Sequence, residues 1–327
     1  MTLYHELKHT LMQGGIEEGE AKAIALLLLE KVAGMTTAEA LTAEPIDNIG
    51  TIGTIETTSS HLISLARRIA QGEPVQYVLG EADFCGLTFK VAPGVLIPRP
   101  ETEELVAWVM EELKPECQMA NVKCKLPTDN CQQSTVNSKL LDIGTGSGCI
   151  AIALAKHLPH AYVEAWDISP DALRIAQENA TRHNVDVVFR QLDILENLES
   201  LEHLDNLDHL DAPPFSIIVS NPPYICQSEA DDMEAHVLDH EPHTALFVPD
   251  HDPLLFYRRI AELAMGTPLL PPILSPGGLL FFEVNRRFGQ DVVELLEGMG
   301  FQGVELRPDQ FGNPRMVKAI KPLQIRY

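Results

Sequence analysis

A short apolar segment that runs into a glycine-rich turn constrains the fold of this chain more than any other feature. It extends from Leu140 to Ala155 and reads LLDIGTGSGCIAIALA. The apolar start predicts a buried strand, and Gly144, Gly146 and Gly148 allow a tight turn into a helix whose N–H groups can face a ligand. The spacing G-x-G-x-G differs from the G-x-G-x-x-G of dinucleotide sites. No G-K-[ST] follows it, which argues against a nucleotide triphosphatase.

The chain around and beyond this turn alternates strand-like and helix-like segments, the pattern of a mainly parallel sheet. Strands are predicted at 139–142, 162–167, 186–191, 215–220, 279–284, 303–306 and 316–320, and helices at 148–157, 170–183, 253–265 and 290–299. Only RPDQFGNPR separates the last two strands, which is too short for a crossover helix, so they should pair as an antiparallel hairpin. Seven strands with such an ending suit a methyltransferase sheet better than a dinucleotide dehydrogenase sheet. We therefore predict an α/β fold that resembles the seven-stranded, Rossmann-like class I methyltransferase sheet, with its last strand antiparallel.

The first part of the chain lacks this alternation, and we predict a small helical bundle over residues 1–74. Apolar residues recur at helical spacing before Gly34, which should end one helix. Ser59 or Ser60 is expected to cap another helix. Because no catalytic pattern occurs here, we expect this N-terminal domain to recognise the substrate.

A change of pattern after this bundle predicts a linker and then the larger domain. Within residues 75–97 the segment FCGLTFKV alternates apolar and polar side chains, with glycines at 80 and 86, which predicts a linking β-hairpin. The methyltransferase domain is expected over 98–327, beginning with a helix capped by Thr102. The polar segments 114–138 and 197–214 are predicted to be surface insertions.

Composition limits the partners of this chain. Of its 327 residues, 24 are Lys or Arg and 47 are Asp or Glu, which gives a net charge of −23 and disfavours binding to nucleic acid. No apolar run approaches the roughly 20 residues that span a bilayer. The N-terminus lacks a signal pattern, so we expect a cytoplasmic protein, and a monomer. Free thiols and no metal site are expected, because no cysteine pair has zinc-site spacing among Cys85, Cys117, Cys124, Cys131, Cys149 and Cys226.

Acidic residues at the ends of the predicted strands point to one ligand. Asp142 precedes the glycine turn and can hold an amino group, directly or through water. Asp167 ends the second strand, where an acid can accept both hydroxyls of a ribose. Asp193 ends the third strand, and the adjacent Ile194 can flank an adenine ring. Taken in order, these residues describe a site for adenosine with an amino-acid tail, which is S-adenosylmethionine.

The fourth strand ends in Asn221-Pro222-Pro223-Tyr224. Two prolines fix φ and remove two backbone donors, so the Asn221 side chain is expected to face a cleft without a local partner. Its oxygen and the Pro222 carbonyl could accept the N–H groups of a planar amide or aryl amine, on which Tyr224 would pack. The predicted cofactor-binding residues are Asp142, Gly144, Thr145, Gly146, Ser147, Gly148, Asp167, Asp193, Ile194 and Asn221. The predicted catalytic residues are Asn221, Pro222 and Tyr224, and Pro223 completes the substrate-binding set.

Several motifs together resemble the HemK-type protein-(glutamine-N5) methyltransferases that modify peptide chain release factors. The matching segments are IPRPETE (97–103), DIGTGSG (142–148), WDISPDALRIAQENA (166–180), NPPYI (221–225), HEPHTALFV (240–248), FYRRI (256–260), GGLLFFEV (277–284) and DQFGNPRMV (309–317). The resemblance implies that Asn221 to Tyr224 bind the glutamine of the release factor's Gly-Gly-Gln loop. It also implies cofactor contacts at Gly144 to Gly148, Asp167, Ile194 and Asn221. Arg99 and Glu101 would shape the cofactor's methionine end or the substrate channel, or form a structural salt bridge.

Other functions stay open at this point. Enzymes that methylate an amino group of adenine or guanine in nucleic acid also use [DN]PP[YF], although the acidic composition argues against them. A ribosomal-protein glutamine is a second possible substrate. A cofactor-binding interaction protein on an inactive methyltransferase fold is disfavoured by the intact GTGSG and NPPY motifs.

Overall fold

The computed structural model describes residues 2–42, 54–113, 138–196, 214–268 and 270–323, without side chains at 54–58 and 235. The chain divides into two compact units. One comprises Met1–Glu81, Val91–Pro93 and Met233–Glu241, and the other comprises Ala82–Lys90, Gly94–Asp232 and Pro242–Tyr327. The hairpin residues 82–90 thus belong to the larger unit. The domain boundaries at 74 and 97 stay predictions.

The helices are α1 Leu3–Gln13, α2 Glu18–Ala33, α3 Thr37–Thr42, α4 Thr54–Ala70, α5 Val75–Leu79, α6 Pro100–Glu112, α7 Cys149–His157, α8 Pro170–His183, α9 Ala235–His240, α10 His243–Leu246, α11 Leu255–Met265 and α12 Gly289–Gly298. The strands are β1 Glu81–Phe84, β2 Leu87–Lys90, β3 Lys139–Ile143, β4 Tyr162–Asp167, β5 Val188–Gln191, β6 Phe215–Ser220, β7 Ile225–Cys226, β8 Phe247–Val248, β9 Leu274–Glu283, β10 Gln302–Pro308 and β11 Pro314–Ile320. A 3₁₀ helix occupies Gln227–Asp232.

The smaller unit is helical, as its apolar spacing predicts. Leu7, Leu11, Leu28 and Leu62 are fully buried and form its core, together with neighbours from the same helices. Helix α2 ends at Gly34, which has the left-handed φ of +67° that glycine adopts without strain. The expected cap of α4 is wrong, because α4 begins at Thr54 and both serines lie inside it.

The larger unit is built on one seven-stranded sheet with the order β10-β11-β9-β6-β3-β4-β5. Neighbours from β9 to β5 are parallel, and β11 is antiparallel to both β9 and β10. The seven predicted strands and the antiparallel last strand are therefore confirmed. Strand β9 starts five residues earlier than predicted, at Leu274.

Both faces of this sheet are buried, which explains the nearly continuous apolar runs of its central strands. Successive phenylalanines of β9 alternate between the faces. Phe281 packs edge-to-face against Trp108 of α6, with ring centroids 5.5 Å apart. Phe282 packs in the same way against Tyr257 of α11 at 5.2 Å. Each face consequently has its own core.

The first turn of α6 differs from the prediction. Helix α6 begins at Pro100, and Arg99 takes the N-cap position without a side-chain cap. Thr102 therefore lies inside the helix and is 2% exposed. A proline at the first helical position is well suited to start a helix, because its missing N–H would have no helical partner there.

Two further expectations concern the remaining segments. The insertions predicted at 114–138 and 197–214 lie outside the described residues except for Ser138 and Pro214, and so do three of the six cysteines. Cys85, Cys149 and Cys226 are free thiols. Among the described helices, none is long and apolar enough to cross a bilayer.

Candidate active site

The predicted site residues meet at one edge of the sheet, where parallel strands β3, β4, β5 and β6 end. The amides of Gly144 and Thr145 both donate to the carbonyl oxygen of Trp166 near the end of β4, at 2.9 and 3.1 Å. The Ser220 hydroxyl at the end of β6 donates to the carbonyl oxygen of Ile143 at 2.6 Å. Adjacent strand ends are thereby tied together, as expected for ligand sites of open α/β sheets.

The glycine turn leaves open space at two of its three glycines. Gly144, Gly146 and Gly148 have φ values of +77°, +56° and +83°. A Cβ atom at 144 or 146 would meet nothing within 4 Å, whereas one at 148 would lie 2.8 Å from Ile152 Cδ1 and 3.0 Å from Ala176 Cβ. Gly148 is thus required by packing, and the first two glycines leave room for a ligand.

The side chain of Asp142 binds the glycine turn and the start of helix α7 by hydrogen bonds. Its Oδ2 accepts hydrogen bonds from the Thr145 hydroxyl at 2.6 Å and the Ala151 amide at 3.2 Å. Its Oδ1 and the Ser147 hydroxyl are buried without a hydrogen-bond partner among the described residues. Burial raises the pKa of Asp142 to about 7. An unpartnered buried carboxylate oxygen beside an open glycine turn fits a ligand that carries positive charge.

Asp167 ends β4 and is tied to the same turn. Its Oδ2 accepts the Gly146 amide at 2.8 Å, and its Oδ1 accepts the Ser169 amide at 2.9 Å. Burial raises the pKa of Asp167, while these hydrogen bonds oppose the shift. Each carboxylate oxygen retains a further lone pair for a ligand hydroxyl.

Arg259, which was not among the predicted site residues, binds the segment that follows β5. Asp193 closes a local turn by accepting the Leu195 amide at 2.8 Å. The Arg259 guanidinium of α11 donates to the carbonyl oxygens of Ile194 at 2.5 Å and Glu196 at 3.2 Å. The Ile194 side chain packs partly against the core. Arg259 therefore fixes the main chain of the segment that was predicted to flank adenine.

Asn221 has a distant partner instead of none. Its Nδ2 donates to Thr102 Oγ1 at 3.2 Å, and the Thr102 hydroxyl donates to Glu283 Oε2 at 2.6 Å. The Tyr224 hydroxyl donates to Glu283 Oε1 at 3.1 Å. As predicted, no described residue close to Asn221 in sequence bonds its side chain, but Thr102 of helix α6 does.

Burial dominates the electrostatics of this hydrogen-bonded group. It raises the pKa of Tyr224, and the nearby Glu283 charge raises it further. Burial also raises the pKa of Glu283, which is 1% exposed. The Tyr224 phenol therefore keeps its proton near neutral pH and donates it to Glu283.

Asn285 fixes the main chain that follows the two prolines. Its Nδ2 donates to the Tyr224 carbonyl oxygen at 3.0 Å and to Glu229 Oε2 at 3.1 Å. Glu229 in turn accepts the Cys226 amide at 2.9 Å. No local sequence signal predicts this contact, because the partners of Asn285 lie 61 and 56 residues away.

Comparison with known proteins shows the family of this chain. The profile of the family described as Methyltransferase small domain matches residues 126–246. A release factor glutamine methyltransferase of Bacteroides thetaiotaomicron is 45% identical over 252 residues, 77% of this chain and 77% of that protein. One from Flavobacterium psychrophilum is 46% identical over 251 residues, 77% of this chain and 76% of that protein. The chain belongs to the release factor glutamine methyltransferase family.

A solved structure is reported for the same class of enzyme. The protein-(glutamine-N5) methyltransferase from Alicyclobacillus acidocaldarius is 25% identical, with 72% of this chain and 99% of that chain covered and a TM-score of 0.38. Membership in the release factor glutamine methyltransferase family confirms the resemblance drawn from the motifs. Methyltransferases of this family use S-adenosylmethionine, and the unpartnered Oδ1 of Asp142 beside the open turn leaves an acceptor for a bound ligand.

Proposed function

We propose that this chain transfers the methyl group of S-adenosylmethionine to the side-chain amide nitrogen, N5, of the glutamine in the Gly-Gly-Gln motif of peptide chain release factors. The orientation of the Asn221 amide carries this proposal. Its nitrogen is engaged by Thr102, and its oxygen accepts no hydrogen bond from any described residue. An acceptor is thus available at the strand edge that carries the glycine turn. The names of the relatives support a protein glutamine over the nucleic-acid base.

The proposed chemistry depends on orientation. An amide nitrogen is a poor nucleophile because its lone pair is delocalised. Hydrogen bonds from its N–H groups to Asn221 Oδ1 and the Pro222 carbonyl would aim that lone pair at the electrophilic methyl group that the cofactor supplies. The new N–C bond uses the nitrogen lone pair, the S–C electron pair stays on sulfur, and one amide proton leaves to water. Such positioning can supply roughly 7–11 kcal/mol.

The proposed cofactor contacts follow the strand ends. Asp142, through its unpartnered Oδ1, and the open turn at Gly144 to Gly148 would hold the methionine part. Asp167 would accept the ribose hydroxyls, and Asp193 and Ile194 would border the adenine. These residues bind and orient the donor, and none of them takes part in bond making.

The remaining assignments concern partners. We propose that the helical N-terminal part, residues 1–74, recognises the release factor and that residues 75–97 link it to the catalytic part. Pro223 and Tyr224 would hold the glutamine side chain in place. The enzyme would act as a monomer in the cytoplasm, where release factors work, without direct contact to nucleic acid.

The Asn221→Ala variant tests the proposed function. We expect turnover with a purified bacterial release factor to fall by about 10²–10³, as occurs when an oriented polar contact is removed. Affinity for S-adenosylmethionine, measured by calorimetry, should change little. Single-turnover transfer of labelled methyl, followed by peptide mass mapping, measures both rate and position. Asn184→Gly is the control, because Asn184 is the C-cap residue that follows α8 and has a left-handed φ of +52°, which glycine adopts freely.

Three results would contradict the proposal. One is unchanged turnover in Asn221→Ala. Another is a methyl label on a release-factor residue other than the Gly-Gly-Gln glutamine. The proposal would also fail if the release factor stayed unlabelled while the same enzyme preparation methylated a different substrate.

A further inference from the structure

A buried carboxylate is connected to the substrate-facing amide by two consecutive hydrogen bonds. Asn221 Nδ2 donates to Thr102 Oγ1 at 3.2 Å, and that hydroxyl donates to Glu283 Oε2 at 2.6 Å. Thr102 and Glu283 are 2% and 1% exposed. The three residues come from the end of β6, the first turn of α6 and the end of β9. None of them is close to another in sequence, so this contact exists only in the folded larger unit.

The chemistry of the groups fixes the direction of both hydrogen bonds. When Glu283 is ionised its carboxylate can only accept, and a threonine hydroxyl has one proton to donate. The Thr102 proton is therefore given to Glu283, and the Thr102 oxygen can only accept from Asn221. This places the Asn221 NH₂ group toward Thr102 and its carbonyl oxygen on the opposite side. A flipped amide would place two oxygens against each other without a proton between them.

Glu283 also restrains the other side of the substrate site. The Tyr224 hydroxyl donates to its second oxygen at 3.1 Å. Both oxygens of the carboxylate are thus used to hold residues of the Asn221–Tyr224 segment, one directly and one through Thr102. Protonation of Glu283 would add a donor to one of these two oxygens, so the carboxyl would no longer only accept and both orientations would lose their common restraint.

The charge state of Glu283 is set by its surroundings. Burial raises the pKa of this carboxyl, and the charge of Glu101 raises it as well. The hydrogen bonds from Thr102 and Tyr224 and the charge of Arg315 lower it. The Tyr257 hydroxyl donates to the Glu283 main-chain oxygen at 3.3 Å. The titratable and charged groups facing Glu283 are therefore Glu101 from α6, Tyr224 from the β6–β7 connection, Tyr257 from α11 and Arg315 from β11.

We propose that Glu283, acting through Thr102, is a positioning residue that holds the Asn221 amide with its oxygen toward the substrate nitrogen. This inference rests on the proposed function, because it takes a primary amide as the group that Asn221 receives. Glu283 touches neither substrate nor cofactor in this role. Its effect is to exclude the flipped amide, which would offer the substrate two donors where it needs an acceptor.

The first test is a pair of substitutions at Thr102. Thr102→Val keeps the shape but removes the hydroxyl, so kcat with a bacterial release factor should fall about 10–100-fold. Thr102→Ser restores the hydroxyl and should recover kcat to within about threefold of the original enzyme. Affinity for S-adenosylmethionine, measured by calorimetry, should stay within about twofold in both. Thr181→Val is the matched control, because the Thr181 hydroxyl donates only to the Gln177 carbonyl oxygen on the distant helix α8.

The second test replaces the carboxylate. Glu283→Gln can donate from its NH₂ group to Thr102, which frees the Thr102 proton to face Asn221 and removes the preference for one amide orientation. We expect kcat to fall about 100-fold. In the original enzyme kcat should also decrease as the pH falls through the raised pKa of Glu283. The protonated carboxyl can donate a hydrogen bond as well as accept one, so it no longer imposes one orientation on Thr102 and Asn221. The residual kcat of Glu283→Gln should lack this acid limb.

The outcomes separate this inference from the proposed function. If Thr102→Val keeps the original kcat, or if Thr102→Ser is as slow as Thr102→Val, the positioning role is wrong. Equal losses of kcat and of cofactor affinity would indicate a purely structural role and also overturn it. If Asn221→Ala is itself fully active, the proposed function fails, whatever Thr102 does. Should Glu283→Gln not fold, the Thr102 pair decides alone.

Discussion

Substituting the glycines of the turn one at a time separates their two roles. Alanine at position 146 would adopt a left-handed φ of +56° with open space around its Cβ. That conformation costs about 1–2 kcal/mol, and about 0.4–1 kcal/mol of this is offset because alanine restricts the unfolded chain. The free energy of unfolding should therefore fall by only about 1 kcal/mol. Its methyl group, however, would occupy the space proposed for the cofactor.

Gly148→Ala has the same backbone cost and an added steric cost. Its Cβ would lie 2.8 Å from Ile152 Cδ1 and 3.0 Å from Ala176 Cβ, and overpacking of this kind costs about 1–3 kcal/mol. We expect a total loss of about 2–4 kcal/mol. Urea denaturation of the cofactor-free protein measures both variants. Calorimetry with S-adenosylmethionine should show an affinity at least about tenfold weaker for Gly146→Ala.

Two results would refute this reasoning about the glycines. If the two variants are equally stable, the contacts inferred for a Cβ at 148 are wrong. If Gly146→Ala binds S-adenosylmethionine as tightly as the original protein, the open space at 146 is not part of the cofactor site. Neither result depends on turnover, so the test is independent of the methylated substrate.

Two further predictions concern residues that support the cofactor site. Burial raises the pKa of Asp142 to about 7 from 3.8. Because this carboxyl ionises less readily in the folded chain than in the unfolded chain, the free energy of unfolding should fall as the pH rises. Relative to Asp142→Asn, the original protein should lose about 3 kcal/mol of unfolding free energy between pH 5 and 8 in urea denaturation, and a pH-independent difference would contradict the shift. Arg259→Met removes both donors to the carbonyl oxygens of Ile194 and Glu196, so the Kd for S-adenosylmethionine should rise about 3–10-fold while kcat at saturation is kept. Arg174→Met is the surface control, and equal Kd values for the two variants would show that Arg259 does not fix the adenine segment.

The parts of the fold that were predicted correctly are those encoded by neighbouring residues. Helix α8 shows this well, since Pro170 starts it and Ser169 caps it by accepting the Ala172 amide at 3.2 Å. The glycine turn and the acids after each strand are local signals of the same kind. A parallel sheet then brings these strand ends to one edge, so the grouping of the residues proposed to bind the cofactor could be predicted without knowing any distant contact.

The supporting half of the site could not be predicted, because its partners are far apart in sequence. Asn221 and Thr102 are separated by 119 residues, and Thr102 and Glu283 by 181. A threonine in the first turn of a helix is compatible both with a cap and with a buried side chain, and only the position of β9 decides between them. The segments IPRPETE and GGLLFFEV contain these residues, but one sequence does not reveal that they meet.

The Asn221–Tyr224 segment presents mainly hydrogen-bond acceptors, because most of its donors are absent or already bound. Pro222 and Pro223 have no N–H groups, the Asn221 NH₂ is engaged by Thr102, and the Tyr224 hydroxyl is engaged by Glu283. One N–H of Asn221 and the Tyr224 hydroxyl are therefore directed into the protein, and the Asn221 side-chain oxygen is left for a substrate. Such a segment favours a group with two N–H donors, which a glutamine amide and an aryl amine both have. In the proposed function this segment would determine which atom is methylated, and residues outside it would have to choose the substrate molecule.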